Sequence, residues 1–263
     1  MAIIETAPRW HYWLHAGTAW FESFAQHFTS PDIHMWPEDS ADVPPAWFAW
    51  SSHHLDDVGT PQELVDRSAS LKAVFDGALY IALGPDYHPP NLQNLTAEKP
   101  IDKSWELGLP YPGDVRVDPF SKKQIRKRVA KWRTPLEDPV ARMIFLARYD
   151  DLVCAILKYT GVQGLTYMTL YAYRDWMKSG GWNDDRIAKE AGWSKAQLND
   201  FTNTANNPAY LGPFCRHGGV GPLPKRPVTL ADAEGPMRTA LGKFILERAT
   251  ISVLAAKWAA LAA

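Results

Sequence analysis

The sequence predicts an α+β fold: an N-terminal aromatic-rich α+β part followed by an all-helical C-terminal part that contains a helix-turn-helix-like hairpin. Three observations lead there. Trp10, Tyr12 and Leu14 alternate, and residues 46–53 (AWFAWSSH) are dense in the aromatic side chains that favour strands. From Asp138 onward the apolar residues recur at helical spacing. Between the two, residues 84–120 are rich in prolines and turn residues, as expected of a connection between parts.

The chain divides accordingly into residues 1–113, a linker and basic segment over 114–137, and a helical part over 138–263. With 263 residues, 46% of them hydrophobic, it is long enough to bury a sizeable core. Its start carries an early acid and no apolar run of signal-peptide length, and no uncharged stretch is long enough to span a bilayer, so a cytoplasmic location without a membrane partner is expected. Cys154 and Cys215 form neither a CxxC pair nor a disulfide framework, in keeping with that location.

The elements follow in order. In residues 9–57 the aromatic period fits both strand and helix, with Trp20, Phe21, Phe24 and Phe28 at helical spacing. Thr60-Pro61-Gln62-Glu63 is a helix start, with a cap, Pro at the first position and Glu at the third, and an apolar stripe carries that helix to about Leu83. Residues 84–120 are expected to hold only short strands near 105–107 and 115–117. Met143, Ile144, Leu146, Leu152, Val153, Ile156 and Leu157 mark one helix closed by Gly161, and Leu165 to Trp176 mark the next, closed by Gly180-Gly181. In the hairpin a short helix runs from Asp184 to Ala191, Gly192 ends it, and Ser194 caps the second helix. Ile187, Ala188 and Ala191 then face Trp193, Leu198 and Phe201. Thr229, with Asp232 three residues on, begins the last helix, where Met237, Phe244, Ile251 and Trp258 recur every seven residues. That edge packs on its own domain or forms a seam between two copies.

Charge is distributed unevenly. Residues 1–113 hold 15 acids and 5 bases, net −10, whereas residues 114–263 are net +9. Such parts attract each other, within a chain or between copies, or address different partners. Seven of the eight histidines lie in the acidic part, where neighbouring carboxylates should raise their pKa values.

Three constellations bear on function. In the first, the second helix of the hairpin presents Ser194, Lys195, Asn199 and Asn203 outward, and Asn side chains pair with adenine edges. Lys122, Lys123, Arg126, Lys127, Arg128, Lys131 and Arg133, seven cations in twelve residues without an acid, then supply phosphate contacts. The plain alternative is a helical hairpin in the core and a basic segment that is solvated or seated on the acidic part. In the second, His11 and His15 are four residues apart, and His53, His54, Asp56 and Asp57 gather imidazoles and carboxylates suited to a divalent metal. Against that stands the reading of these histidines as ordinary hydrogen-bonded side chains. In the third, Cys215, Arg216 and His217 precede a glycine-rich run, as an activated thiol or an anion-binding loop would require, or simply an ordered loop.

The leading functional expectation is a non-enzymatic nucleic-acid-binding or regulatory protein that needs no cofactor. An assembly or adaptor protein, paired with a protein partner or another copy through its charged parts, is the second. A metal- or thiol-dependent enzyme is the third.

Overall fold

The computed structural model describes residues 9–15, 17–28, 30–37, 47–97, 116–123, 137–215 and 226–262. The expected strands near 105–107 and 115–117, and Arg126, Lys127, Arg128, Lys131, Arg133, Arg216 and His217, lie outside or largely outside these residues.

An N-terminal mixed α+β region is followed by a helical bundle. Strands β1 (Trp10–His15), β2 (His34–Pro37), β3 (Trp47–Ser51) and β4 (Leu92–Ala97) form an antiparallel sheet in the order β2-β3-β1-β4. The alternation in β1 is therefore that of a strand, with Trp10, Tyr12 and Leu14 fully buried on one face. Opposite them in register stand Trp50 and Phe48 of β3. The aromatic run 20–28 is helical, forming α1 (Ala19–His27) with Thr18 as its cap. Strand β4 was not expected. It lies in the proline-rich stretch and pairs with β1 across a register shift between His11 and Trp13.

Helix α2 (Pro61–Leu83) begins on the Thr60 cap, whose hydroxyl accepts from the Glu63 amide at 3.2 Å. Its Phe75 meets Phe24, Phe28 and Trp50, so α2 covers the buried face of the sheet. The expected single helix over 143–157 is two helices, α3 (Pro139–Ala147) and α4 (Asp151–Gln163). Asp150 makes the break by accepting from the Leu152 and Val153 amides, which starts a new helix in a new direction. Gly161 is not the terminator expected of it. It lies inside α4, which ends at Gly164 with φ +65°.

Gly161 has a packing role instead. A Cβ at Gly161 would sit 2.0 Å from the Ala73 carbonyl oxygen of α2, and one at Gly77 would sit 1.9 Å from the Leu157 carbonyl oxygen of α4. The two helices thus cross backbone against backbone, each presenting a glycine to the other four residues along. Helices α5 (Tyr167–Ser179), α6 (Asp184–Glu190), α7 (Lys195–Asn206) and α8 (Pro208–Leu211) follow, and one apolar core runs through the sheet, α2 and the bundle.

The α6–α7 hairpin has the expected apolar interior, with Ile187, Ala188, Ala191, Leu198 and Phe201 buried and Trp193 against Phe201 at 5.7 Å. Gly192 has φ +72°, and Ser194 and Gln197 form a reciprocal capping box at the start of α7. Helix α9 (Leu230–Ile251) starts on Thr229 and buries Met237 and Phe244. The seven-residue edge stops there: Ile251 is 62% exposed, and the chain turns at Val253, with φ 50°, into α10 (Leu254–Ala262). Trp258 then folds back onto Phe145 of α3, 5.2 Å between ring centres.

Because no rotamer relieves a backbone clash, Gly161→Ala should destabilise the protein by about 3 kcal/mol, at the upper end of overpacking costs. Gly242→Ala, in the open on α9, should stabilise it by roughly 0.5–1 kcal/mol. Urea unfolding of both variants checks the contrast.

Candidate functional site

Residues from four parts of the chain converge where the sheet region meets the bundle. Ser30 accepts from the Asp32 amide at 3.1 Å and the Ile33 amide at 3.4 Å, a turn that carries Asp32 into the interior. Ser52 caps a short 3-10 turn, His53–Leu55, so His53 and His54 diverge around a turn and not across a strand. His54 points inward and places Nε2 2.9 Å from Asp32 Oδ1. Arg148, released by the break between α3 and α4, donates through Nε to the same oxygen. The Ser121 amide donates to His54 Nδ1 at 3.1 Å.

That last bond settles the protonation of His54. A ring nitrogen that accepts from an amide carries no proton, so Nε2 holds it and donates to Asp32. Electrostatics agree: burial pushes His54 below its ordinary pKa, with Asp32 opposing. Burial pushes the Asp32 carboxyl up, but Arg148 and the His54 hydrogen bond outweigh it and hold it below the usual carboxylate range. Burial drives the neighbouring His34, whose ring lies 5.2 Å from that of His53, down to about 3. The expected upward shift among carboxylates is therefore reversed at His34 and His54, because desolvation exceeds the attraction of nearby acids.

A second set of bonds ties segment 116–123 to this cluster. The Ser121 hydroxyl donates to Asp57, which also receives Arg67 at 2.8 Å, and Arg67 donates to the His54 carbonyl. Ser70 and Lys158 both donate to the Val117 carbonyl at 3.0 Å. The segment thereby forms one wall of a cleft of about 590 Å³. Its lining holds the cations Arg116 and Lys158, the rings of Tyr159 and Trp176 and the acids Asp118 and Asp151, while Arg148, paired with Asp32, and Phe120, whose ring lies 5.2 Å from that of His54, form its buried base. Lys122 and Lys123, the first residues of the basic segment, leave its rim exposed to solvent.

The metal candidates are dispersed. His11 and His15 share one face of β1 but meet tryptophan rings edge-on, His11 against Trp13 and Trp36 and His15 against Trp47. His53 pairs with Asp56 at 2.7 Å, His54 with Asp32, and Asp57 with Arg67. Among the described residues no three His, Cys, Asp or Glu side chains converge as a ligand set. Burial pushes the Cys154 thiol up to about 11, which disfavours its thiolate. Cys215 is half-buried after a short 3-10 turn. On α7, Ser194, Lys195 and Asn199 are exposed and Asn203 is half-buried, but Lys195 is tied to Asp185 at 2.8 Å.

Asp32, Arg148, Ser121, Lys158 and Trp176 were not singled out from the sequence. Nothing local links Asp32 to Arg148, 116 residues away. The charged interruption Arg148-Tyr149-Asp150-Asp151 in an apolar helical run was the available signal for the break that frees Arg148.

Linkage gives this cluster an acid response. A histidine whose folded pKa is depressed stabilises the fold above its unfolded pKa, near 6.5. That stability is lost as pH falls toward the folded value, because the unfolded chain binds the proton. With His34 held near 3, its part of the unfolding free energy should fall by roughly 1.4 kcal/mol per pH unit below about pH 6, and His54 adds a loss of the same sign. His34→Met should remove the His34 part of that slope. Urea midpoints between roughly pH 6 and pH 4 measure it.

Comparison of the chain with protein-family models, with curated proteins and with solved structures found no match, so the geometry above carries the functional reading by itself.

Proposed function

We propose that the protein is a non-enzymatic nucleic-acid-binding protein whose principal contact is the cleft beside segment 116–123, continued by the basic segment. The supporting observation is the meeting of Arg116 and Lys158 with the rings of Tyr159 and Trp176 in one open cleft, next in sequence to a run of seven cations. Phosphates take up the cations and release counterions, while unstacked bases lie against Trp176 and Tyr159, whose rings meet edge-on at 5.3 Å. Stacking of this kind needs bases free of a duplex, so single strands bind more tightly than double strands. Lys122 and Lys123, exposed after Phe120, extend the phosphate track, and Arg126, Lys127, Arg128, Lys131 and Arg133, outside the described residues, are proposed as further phosphate contacts on the sequence alone. The helix-turn-helix-like hairpin is secondary: Asp184 and Asp185 open its first helix, and Lys195 is held by Asp185. Its Ser194, Asn199 and Asn203 supply base contacts once the strand is held.

A second reading, self-association, is favoured by one observation. Leu246, Ile251 and Val253, on and just after the last turns of α9, are 52%, 62% and 60% exposed. Sedimentation velocity of the parent beside Ile251→Glu distinguishes a copy-to-copy contact, lost in the variant, from a monomer.

Fluorescence anisotropy with labelled single- and double-stranded oligonucleotides, over a salt series, tests the main reading. Single-strand binding should weaken steeply with salt. Arg116→Ala with Lys158→Ala should lower the slope by roughly 1.4, about 0.7 per lost phosphate contact. Trp176→Ala should cost about 1–3 kcal/mol at any salt. Absence of binding at low salt, or binding indifferent to these changes, would overturn the proposal.

A further inference from the structure

A second, smaller cavity of about 240 Å³ lies beside the glycine crossing, with Ala73 and Gly161 in its lining, and shares no lining residue with the charged cleft. One face of α2 forms its floor, with Ala69, Lys72, Ala73, Asp76 and Tyr80. The last turn of α4, from Gly161 to Gly164, forms one side, and residues 89–92 leading into β4 form the other. Its walls combine apolar groups with the polar side chains of Tyr80, Asn91 and Gln163 and one ion pair, whose members are both nearly removed from water. Lys72 Nζ approaches both oxygens of Asp76, at 2.5 and 2.6 Å, with side-chain exposures of 12% and 8%. The Tyr87 hydroxyl donates to Asp76 Oδ1 at 2.7 Å.

The hydrogen-bonding capacity of this pair is incompletely used. A carboxylate has about four acceptor positions and an ammonium three donors. Asp76 takes two bonds from Lys72 and one from Tyr87, which leaves room for one more donor. Lys72 keeps at least one N–H for an acceptor. Beside them, the C-terminal carbonyls of α4 present the negative end of its dipole, which favours a cation. The pair is neutral as a whole, so a ligand carrying net charge would leave one charge buried without compensation. A ligand carrying both signs on neighbouring atoms satisfies Asp76, Lys72 and the helix end together. The apolar groups of the walls, Leu92 and Val162 among them, suit an aliphatic remainder. The volume holds roughly eight waters at ~30 Å³ each, the size of a small amino acid and not of a nucleotide.

From this geometry we infer that the cavity between α2, α4 and the start of β4 binds a free aliphatic α-amino acid as its zwitterion, ammonium toward Asp76 and the end of α4, carboxylate toward Lys72. Because the cavity borders the crossing of α2 and α4, occupancy stabilises the whole fold by mass action.

The test is calorimetric titration and thermal unfolding of the full chain with leucine and proline, beside isovalerate and isoamylamine, which keep the aliphatic group but carry one charge each. Leucine or proline should bind and raise Tm by several degrees at about a hundredfold excess over Kd. The single-charge analogues should bind roughly ten- to hundredfold more weakly. Val162→Phe, which fills the cavity from a half-buried position, should abolish binding while keeping the far-UV spectrum. Should that variant fail to fold, Gln163→Trp, at an exposed position on the rim, should weaken binding in its place. Three results would overturn the inference: no heat and no Tm shift with either amino acid at millimolar concentration, equal binding of the single-charge analogues, or unchanged binding in the folded cavity variants.

Discussion

The crossing of α2 and α4 is the constraint on which the rest of the molecule depends. With Gly77 against the Leu157 carbonyl and Gly161 against the Ala73 carbonyl, the two helices approach more closely than any side chain would permit. That closeness sets the angle at which the bundle meets the sheet region, since α2 also covers the buried sheet face through Phe75. Both cavities border this pair of helices. One opens beside the C-terminal turn of α4, and the other lies along the face of α4 that carries Asp151, Cys154 and Lys158.

The buried cluster around Asp32 depends on that docking. Removing a carboxylate and a guanidinium from water costs several kcal/mol per ion, and their attraction repays this only when further hydrogen bonds complete the set. His54 supplies one such bond to Asp32 Oδ1, the oxygen that Arg148 also reaches, and its own far side is satisfied by the Ser121 amide, while Asp32 Oδ2 is buried without a hydrogen bond among the described residues. The result gains little stability outright but specifies position. Arg148, on the bundle, and Ser121, on the connecting segment, are held to the same carboxylate–imidazole pair, and the cleft between them takes its shape from that. The meeting of Asp32 with Arg148 is also where the acidic and basic parts of the chain touch through a buried ion pair.

Elsewhere the charges have local uses. Asp184 receives Arg174 and Lys178, Glu190 pairs with Lys243, and Glu247 with Arg186. These exposed or half-exposed pairs orient the α6–α7 hairpin against α5 and α9 and contribute little energy each. They also account for most of the cations near the hairpin, whereas Lys122 and Lys123 stand exposed beside the cleft. Among the described residues no helix is long and apolar enough to cross a membrane.

The sequence by itself determined whatever depends on a few neighbouring residues. The Thr60, Ser194 and Thr229 caps, the terminator at Gly192 and the apolar faces of α2 and of the hairpin all follow from short-range rules, and the structure bears them out. Tertiary structure alone decided what depends on distant partners. Strand β4 has a weak local pattern and exists because β1 offers it an edge. Gly161 looked like a helix end because glycine usually is one. Only the presence of Ala73 across the interface shows that it makes room for another backbone. The aromatic-rich beginning was legible as core, but the pKa values of its histidines were not, since burial is a property of the folded chain and outweighs the neighbouring acids counted along the sequence. Asp32, Arg148 and Ser121 were silent for the same reason: each is an ordinary polar residue until folding removes water from all three at once.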